Sequence, residues 1–170
     1  ASAFVCRIQN YAGYAGPPAI PAIPAQNLVI VNDLDLQNYA RLNSNTTGGL
    51  TRDILVGHNF TIGTNAFYIP NTNTTIFNGT GTQLFGMYGT VTGDLNNLSM
   101  TNASELTIDN AGVINPVVVN NGLTIGSGCS LIDNGRTIQV NGNLSNSGTH
   151  FRPVSGAGSI QLTGGGAQII

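Results

Sequence analysis

Short runs of β-branched and aliphatic residues, separated by Asn and Gly, recur from residue 27 to residue 170. The runs are too short for helices, and no segment carries apolar residues at a helical spacing. The Asn-Gly, Asn-Asn and Gly-Ser pairs between them are typical of tight turns. The sequence therefore predicts an all-β fold. The runs are 28–31, 54–56, 60–62, 106–108, 117–119, 123–125 and 137–140.

The runs also recur as an ordered group. Asn59 matches Asn143, which lies 84 residues later, and Gln83 matches Gln168, which lies 85 residues later. Single repeat units of solenoids span roughly 20–50 residues, so a spacing near 85 predicts three or four coils in each copy. The aligned segments are 53–64 with 137–148, 77–84 with 162–169, and 28–36 with 116–125.

Strand length distinguishes the two all-β architectures that fit this pattern. The strands of a β-sandwich are typically longer and alternate polar with apolar residues over more positions. A parallel β-helix instead stacks short aliphatic runs and places Asn and Gly at its corners. We therefore predict a right-handed parallel β-helix, with a β-sandwich as the alternative. The predicted units are imperfect repeats at about 27–85 and 116–170, with an extra coil at 86–115.

Residues 1–26 differ from the rest and predict an extended amino-terminal arm. The prolines of segment 16–25 fix φ and favour a polyproline-like path. Ahead of them, Phe4, Cys6 and Ile8 alternate with other residues in the pattern of a short strand. Tyr side chains bring large contact areas at low entropic cost. We expect the arm to contact a neighbouring subunit through Phe4, Val5, Cys6, Ile8, Tyr11 and Tyr14.

Charge is scarce, with five Arg, no Lys and seven acidic residues in 170. This excludes a surface that binds phosphate backbones, so no nucleic-acid partner is expected. No run approaches the roughly 18 apolar residues of a membrane-spanning helix. Solubility would rest on Asn, Thr, Ser and Gly, as on many extracellular proteins, and Ala1-Ser2-Ala3 resembles the end of a cleaved secretion signal. We expect an extracellular or cell-surface protein.

Two cysteines, Cys6 and Cys129, allow one internal bridge, a bridge to a neighbouring chain or two free thiols. Cys129 has the same strand parity as Leu123, Ile125 and Leu131. Its side chain is therefore expected in the core, where a free Cys behaves as a small hydrophobic residue.

The best candidate for catalysis is the pair Asp33 and Asp35, because carboxylates two residues apart on a strand project from one face. Carbohydrate-active β-helix enzymes need such acids for acid–base chemistry or calcium. The simpler interpretation is that Leu34 and Leu36 point inward and leave both acids in water. We therefore predict no catalytic residues and no enzymatic activity.

Other polar groups predict turns instead of chemistry. His58 and His150 lie in no metal-binding arrangement and are expected in surface turns, so neither a metal nor a cofactor is predicted. The glycine-rich segments 79–81 and 164–166 lack the following helix and Lys of phosphate-binding loops. The Asp residues that lie beside Gly or Asn, or at the edges of runs, are expected to bond nearby backbone: Asp53, Asp94, Asp109 and Asp133.

Aromatic residues concentrate in the middle third of the chain. An exposed row of rings could stack on sugars, whereas buried rings would stack within the core, which is the interpretation we favour. The residues are Phe60, Phe67, Tyr68, Phe77, Phe85 and Tyr88.

The order of segments 94–100, 106–108, 135–149 and 156–169 resembles the repeats of secreted, surface-associated β-helix proteins of Bacteroidetes. The likeness covers about residues 27–170, and the arm lies outside it. The resemblance implies a right-handed parallel β-helix, secretion and a surface or adhesive role.

An isolated β-helix has two ends with unpaired backbone groups, and segment 167–170 has the composition of a strand ready to pair. We therefore expect a structural or adhesive extracellular protein that stacks head to tail into a filament. The alternatives are a carbohydrate-active β-helix enzyme or sugar-binding module, with a surface polysaccharide as partner, and a rigid spacer of a large adhesin.

Overall fold

The computed structural model describes the backbone of Val5–Gln9 and residues 27–45, 51–112, 116–152 and 158–170. These residues form an all-β parallel solenoid of about five coils, which confirms the predicted β-helix over the β-sandwich. Every pairing between the named strands is parallel. Phe4, Tyr11, Tyr14 and most of the arm lie outside the described residues.

The strands are short, as their sequence runs predict. They are β1 (Val5–Gln9), β2 (Leu28–Ile30), β3 (Asp33–Gln37), β4 (Arg41–Asn43), β5 (Ile54–Val56), β6 (Phe60–Ile62), β7 (Phe67–Ile69), β8 (Thr74–Phe77), β9 (Thr82–Met87), β10 (Thr90–Val91), β11 (Leu95–Met100), β12 (Glu105–Ile108), β13 (Val117–Ile125), β14 (Ser130–Ile132), β15 (Thr137–Val140), β16 (Asn143–Asn146), β17 (Thr149–Phe151) and β18 (Ser159–Leu162).

The chain passes through three faces in each coil. The first face stacks β2, β5, β8, β11, the second half of β13, and β16. The second face stacks β1, β3, β6, β9, β12, β14 and β17. The third face consists of β4, β7 and β10 in the early coils and of the first half of β13, β15 and β18 in the later ones.

Alternate residues of each strand point into the solenoid, where they form columns along its axis. The first-face column is Leu28, Ile54, Thr75, Leu98, Leu123 and Leu144. A second-face column contains Leu34, Phe60, Phe85 and Ile108, all of them fully buried. Burial of each large apolar side chain contributes about 1.5–3 kcal/mol, so these columns are the main source of stability.

The corners require Gly where successive coils approach closely. A Cβ on Gly79 would overlap the carbonyl oxygen of Gly57 on the preceding coil, and one on Gly142 would overlap that of Asn121. Other corners use Asn in the left-handed region, with Asn65 at φ 65° and Asn71 at φ 55°. Asn tolerates this region better than most residues, which explains the high Asn and Gly content of the chain.

Candidate assembly surfaces at the two ends of the solenoid

The amino-terminal end is half covered by the chain's own arm. Strand β1 pairs in parallel with β3 over five residues, from Val5 with Asp33 to Gln9 with Gln37. The outer edge of β2, on the first face, has no strand against it among the described residues. Val29 and Val31 are 57% and 80% exposed beside this edge. The end therefore presents both apolar side chains and an open strand edge.

The predicted contact residues of the arm are only partly placed by the structure. The backbone of Val5, Cys6 and Ile8 lies in β1, on the same chain's second face. Their side chains, and all of Phe4, Tyr11 and Tyr14, lie outside the described residues. The contact of the arm with a neighbour stays a prediction.

The carboxy-terminal end is also open. No residue of β16, β17 or β18 is fully buried, and Phe151 is 50% exposed. The last three residues lie over β16, where the Leu144 amide donates to the Ile169 carbonyl at 2.9 Å. Ile169 and Ile170 are 70% and 83% exposed. Two large aliphatic side chains thus face solvent at the end of the axis.

The aligned sequence repeats build the same corner twice. In the middle of the solenoid, Gln83 Nε2 donates to the carbonyls of Val56 and His58, at 3.0 and 2.8 Å. At the carboxy-terminal end, Gln168 Nε2 donates to the carbonyls of Val140, at 2.9 Å, and Gly142. We call each arrangement a glutamine-capped corner.

Asparagine completes both glutamine-capped corners in the same way. The Asn59 side chain accepts the Leu84 amide at 2.8 Å, and the Asn143 side chain accepts the Ile169 amide at 3.0 Å. The first corner joins the first face to the second, whereas the corner at Asn143 joins the third face to the first. The sequence repeat therefore preserves a local structure and shifts it by one face.

The acid pair lies on the outer side of β3. Leu34 and Leu36 are fully buried, and Asp33 and Asp35 take the alternate, partly exposed positions. Asp33 Oδ1 accepts the Asn59 amide at 3.0 Å and lies 2.6 Å from His58 Nδ1, while Asp35 accepts from the Gln37 side chain. The contacts of Asp33 link β3 to the next coil, and the contact of Asp35 lies within β3. No group of three or more His, Cys, Asp or Glu in the described part of the chain could hold a metal ion.

The expectation of surface turns holds for His58 and is wrong for His150. His58 lies at a corner with its side chain 52% exposed. His150 lies in β17 opposite the buried Leu131, and its side chain is only 20% exposed. Its Nε2 lies 2.9 Å from Oδ2 of the fully buried Asp133. Strand parity gave no signal for this, because in Thr149-His150-Phe151 the apolar Phe151 would be expected to point inward, whereas the structure leaves both Thr149 and Phe151 exposed.

The aspartates predicted at turns serve two purposes. Asp109 and Asp133 accept amides of their own turns, from Ala111 at 2.9 Å and Gly135 at 3.0 Å, as predicted. Asp53 instead accepts the Thr74 amide of the next coil at 2.8 Å. Asp94 lies at φ 64° in an exposed corner.

Most of the central aromatic residues stack in the core, as predicted. The ring centroids of Phe60 and Phe85 lie 5.3 Å apart in a stacked arrangement, and those of Phe77 and Phe85 lie 5.3 Å apart with the rings tilted. Phe67 is only half buried, with the Arg41 guanidinium 5.3 Å from its ring centroid. No row of exposed rings suited to sugar stacking is present among the described residues.

Two tyrosines have altered acidity. The hydrogen bond that Tyr88 donates to the Asp109 carboxylate, with partial burial, raises the pKa of Tyr88 to about 12. Burial raises the pKa of Tyr68 to about 12. The Tyr68 hydroxyl lies 2.8 Å from Thr75 Oγ1 and accepts from Asn73 Nδ2 at 2.8 Å. This buried polar cluster explains why a Thr interrupts the first-face column.

Cys129 is a free thiol in the core with 2% of its surface exposed, as its strand parity predicts.

A cleft of about 200 Å³ lies where the third face passes from β10 to β13, between Thr90, Leu95 and Val118. It has one carboxylate, Asp94, and no aromatic side chain at its wall.

No described helix is long and apolar enough to cross a membrane. Comparisons with protein-family models, curated proteins and solved structures found no match to this chain.

Proposed function

We propose that this chain is an extracellular structural or adhesive protein whose copies stack head to tail into a filament, with the arm contacting a neighbour. One observation carries this proposal. Both ends of the solenoid combine open strand edges with large exposed aliphatic side chains, Val29 and Val31 at one end and Ile169 and Ile170 at the other.

Open parallel strand edges favour addition of another chain, because their N–H and C=O groups remain available for pairing. The two ends of a solenoid are different surfaces. A contact between them is therefore heterologous, and when the rotation does not close it generates a filament. The few charged groups on the chain give little electrostatic repulsion against such stacking.

The surface chemistry supports an extracellular location. Polar neutral residues form hydrogen-bonded ladders along the outside of the coils, such as Asn121 with Asn97 at 2.9 Å and Asn141 with Asn120 at 2.9 Å. Ladders of this kind link successive coils without charged groups, so they are insensitive to salt. Such insensitivity suits a structural protein exposed to a changing environment.

Electron microscopy of the purified chain tests the proposal. We expect the full chain to form rods whose length increases with protein concentration. A variant that lacks residues 1–26 should give few or no rods while circular dichroism still shows a β-sheet spectrum. Single particles of the full chain at every concentration would overturn the filament, and unimpaired rods of the shortened variant would overturn the role of the arm.

A further inference from the structure

The amino-terminal end of the solenoid carries the second-face strand of an additional coil. Strand β1 precedes β2 in the chain and pairs with the outer edge of β3, so it occupies the second face of the coil before β2. The first-face position of that coil, against the outer edge of β2, holds no strand in the ranges that the structure describes.

The carboxy-terminal end carries a first-face segment of a further coil. Within the solenoid, the Leu34 amide donates to the Asn59 carbonyl at 2.8 Å, one residue before its register partner Phe60. The Leu144 amide donates in the same way to the Ile169 carbonyl, which places Ile170 opposite Leu144 on the first face. No described strand covers the outer edge of β17 on the second face.

The first-face segment of one end and the second-face strand of the other are complementary. We propose that two copies share one coil at each junction: residues 168–170 of one copy form its first-face strand, and β1 of the partner subunit forms its second-face strand. This inference rests on the proposed head-to-tail stacking and specifies its geometry. Ile170 would lie between Leu144 of its own chain and the partner's Leu28, continuing the first-face column from one copy to the next.

The order of the strands favours a second copy over an unrelated partner. In every coil, a first-face strand is followed by a second-face strand, as β5 is by β6 and β8 is by β9. Residues 168–170 followed by the partner's β1 reproduce this order. Another protein would have to supply a matching strand at one face and leave the adjacent face open.

The shared coil also buries an apolar side chain at each end. Ile170, which is 83% exposed, would enter an aliphatic column, and the half-buried Leu28 would become covered. The outer edges of β2 and β17 would gain parallel partners, as the edges of interior strands do.

Disulfide trapping tests the shared coil. Paired residues on adjacent strands lie about 4.8 Å apart, within the Cα separation of roughly 4.4–6.8 Å that a disulfide spans. The variant Ile170→Cys with Leu28→Cys, made with Cys6→Ser, should form a ladder of covalent oligomers under mild oxidation on a non-reducing gel. Cys129 stays in the core and should not react.

Matched variants give the controls. Ile170→Cys with Val29→Cys places one thiol on the outward side of β2, where Val29 is 57% exposed, and should give no ladder. An equimolar mixture of the single variants Ile170→Cys and Leu28→Cys should give covalent dimers and nothing larger, because each chain then carries one reactive end.

The outcomes separate this inference from the proposed function. Two results would overturn the shared coil and leave stacking intact. The first is rods in the microscope without a covalent ladder from the variant Ile170→Cys with Leu28→Cys. The second is an equally strong ladder from the control variant Ile170→Cys with Val29→Cys. Absence of rods from the unmodified chain would overturn both. If the cysteine variants fail to fold, hydrogen exchange of the unmodified chain tests the shared coil instead. The Val29 amide points to the open edge of β2, because the neighbouring Leu28 amide already donates to the Asp53 carbonyl of the next coil. It should then exchange about tenfold more slowly at high than at low concentration, and an unchanged rate would overturn the shared coil.

Discussion

The middle of the solenoid and its carboxy-terminal end contain the same glutamine-capped corner but differ in burial. In the middle, β5 and β6 each bury both inward side chains completely, and the ring of Phe85 contacts the rings of Phe60 and Phe77. At the end, β16, β17 and β18 bury no residue completely.

The difference lies in what covers each corner. Gln83 is 1% exposed because β12 and later coils lie above β9. Gln168 makes the same two hydrogen bonds yet stays partly exposed, since no described strand lies above it. Local hydrogen bonds therefore determine the shape of a corner, and the next coil determines how much stability the corner contributes.

The largest contrast is expected between Phe85 and Ile170, which hold equivalent places in the two corners. Phe85→Ala should lower the free energy of unfolding by about 3–5 kcal/mol, because it opens a cavity among stacked rings. Ile170→Ala should change it by less than about 0.5 kcal/mol in the monomer, as is usual for exposed positions. Urea denaturation at low protein concentration measures both. Equal losses would show that burial does not distinguish the two regions.

Tyr68 gives the middle coils a dependence on alkaline pH. Its pKa is about 12 in the folded chain and about 10 when unfolded, so between these values the folded state binds more protons. Stability should therefore fall as pH rises from 10 to 12, by about 2–3 kcal/mol.

The variant Tyr68→Phe should be less stable at neutral pH, because Thr75 and Asn73 lose a buried partner, and its stability should depend less on pH in this window. Urea denaturation across the pH series measures this, with Tyr88→Phe as the control for the partly exposed tyrosine. A slope that Tyr68→Phe leaves unchanged would assign the alkaline loss to other groups.

Substitutions of the corner glycines also compare the middle of the solenoid with its carboxy-terminal end. Gly79→Ala should cost about 2 kcal/mol or more, because the new Cβ overlaps the Gly57 carbonyl between two coils that are held on both sides. Gly164→Ala meets the Asn141 carbonyl in the same way, but the uncovered tail can move, so the loss should be smaller. Gly165→Ala, where nothing lies within 4 Å, is the control. Thermal unfolding ranks the three, and a larger loss at Gly164 would contradict the proposed difference.

The smallest contrast is expected for the glutamines. Gln83→Met keeps the length of the side chain and removes the two hydrogen bonds to Val56 and His58, which should cost about 1 kcal/mol. Gln168→Met should cost less than about 0.5 kcal/mol, because water can reach the freed carbonyls. Chemical denaturation of both variants measures these losses in the free energy of unfolding. Identical losses would mean that exposure of the second corner has no energetic effect.

The sequence predicted the solenoid because its stabilising pattern is local. Runs such as 54–56 and 60–62 alternate inward and outward residues over only three positions, and the inward placement of Leu34, Leu36 and Cys129 followed from parity alone. The segment around Asn59 and its copy around Asn143 were also recognisable, since they form the same hydrogen bonds.

The features that the sequence did not predict depend on contacts between coils. The approach of His150 to Asp133, and of Tyr68 to Thr75, required the register between strands, which no single run contains. The shift of the repeat by one face was equally hidden, because coils differ in length. The pairing of β1 with its own β3 could not be separated from pairing with a neighbour by sequence pattern, since both present the same edge.

Small-angle X-ray scattering of the full chain over a concentration series tests most directly whether one solenoid axis continues from copy to copy. We predict that the particles grow in length and mass while their cross-sectional radius of gyration stays constant. A cross-section that widens with mass would indicate side-by-side association, and a mass that stays at one chain throughout would exclude stacking; either result would contradict the end-to-end assembly.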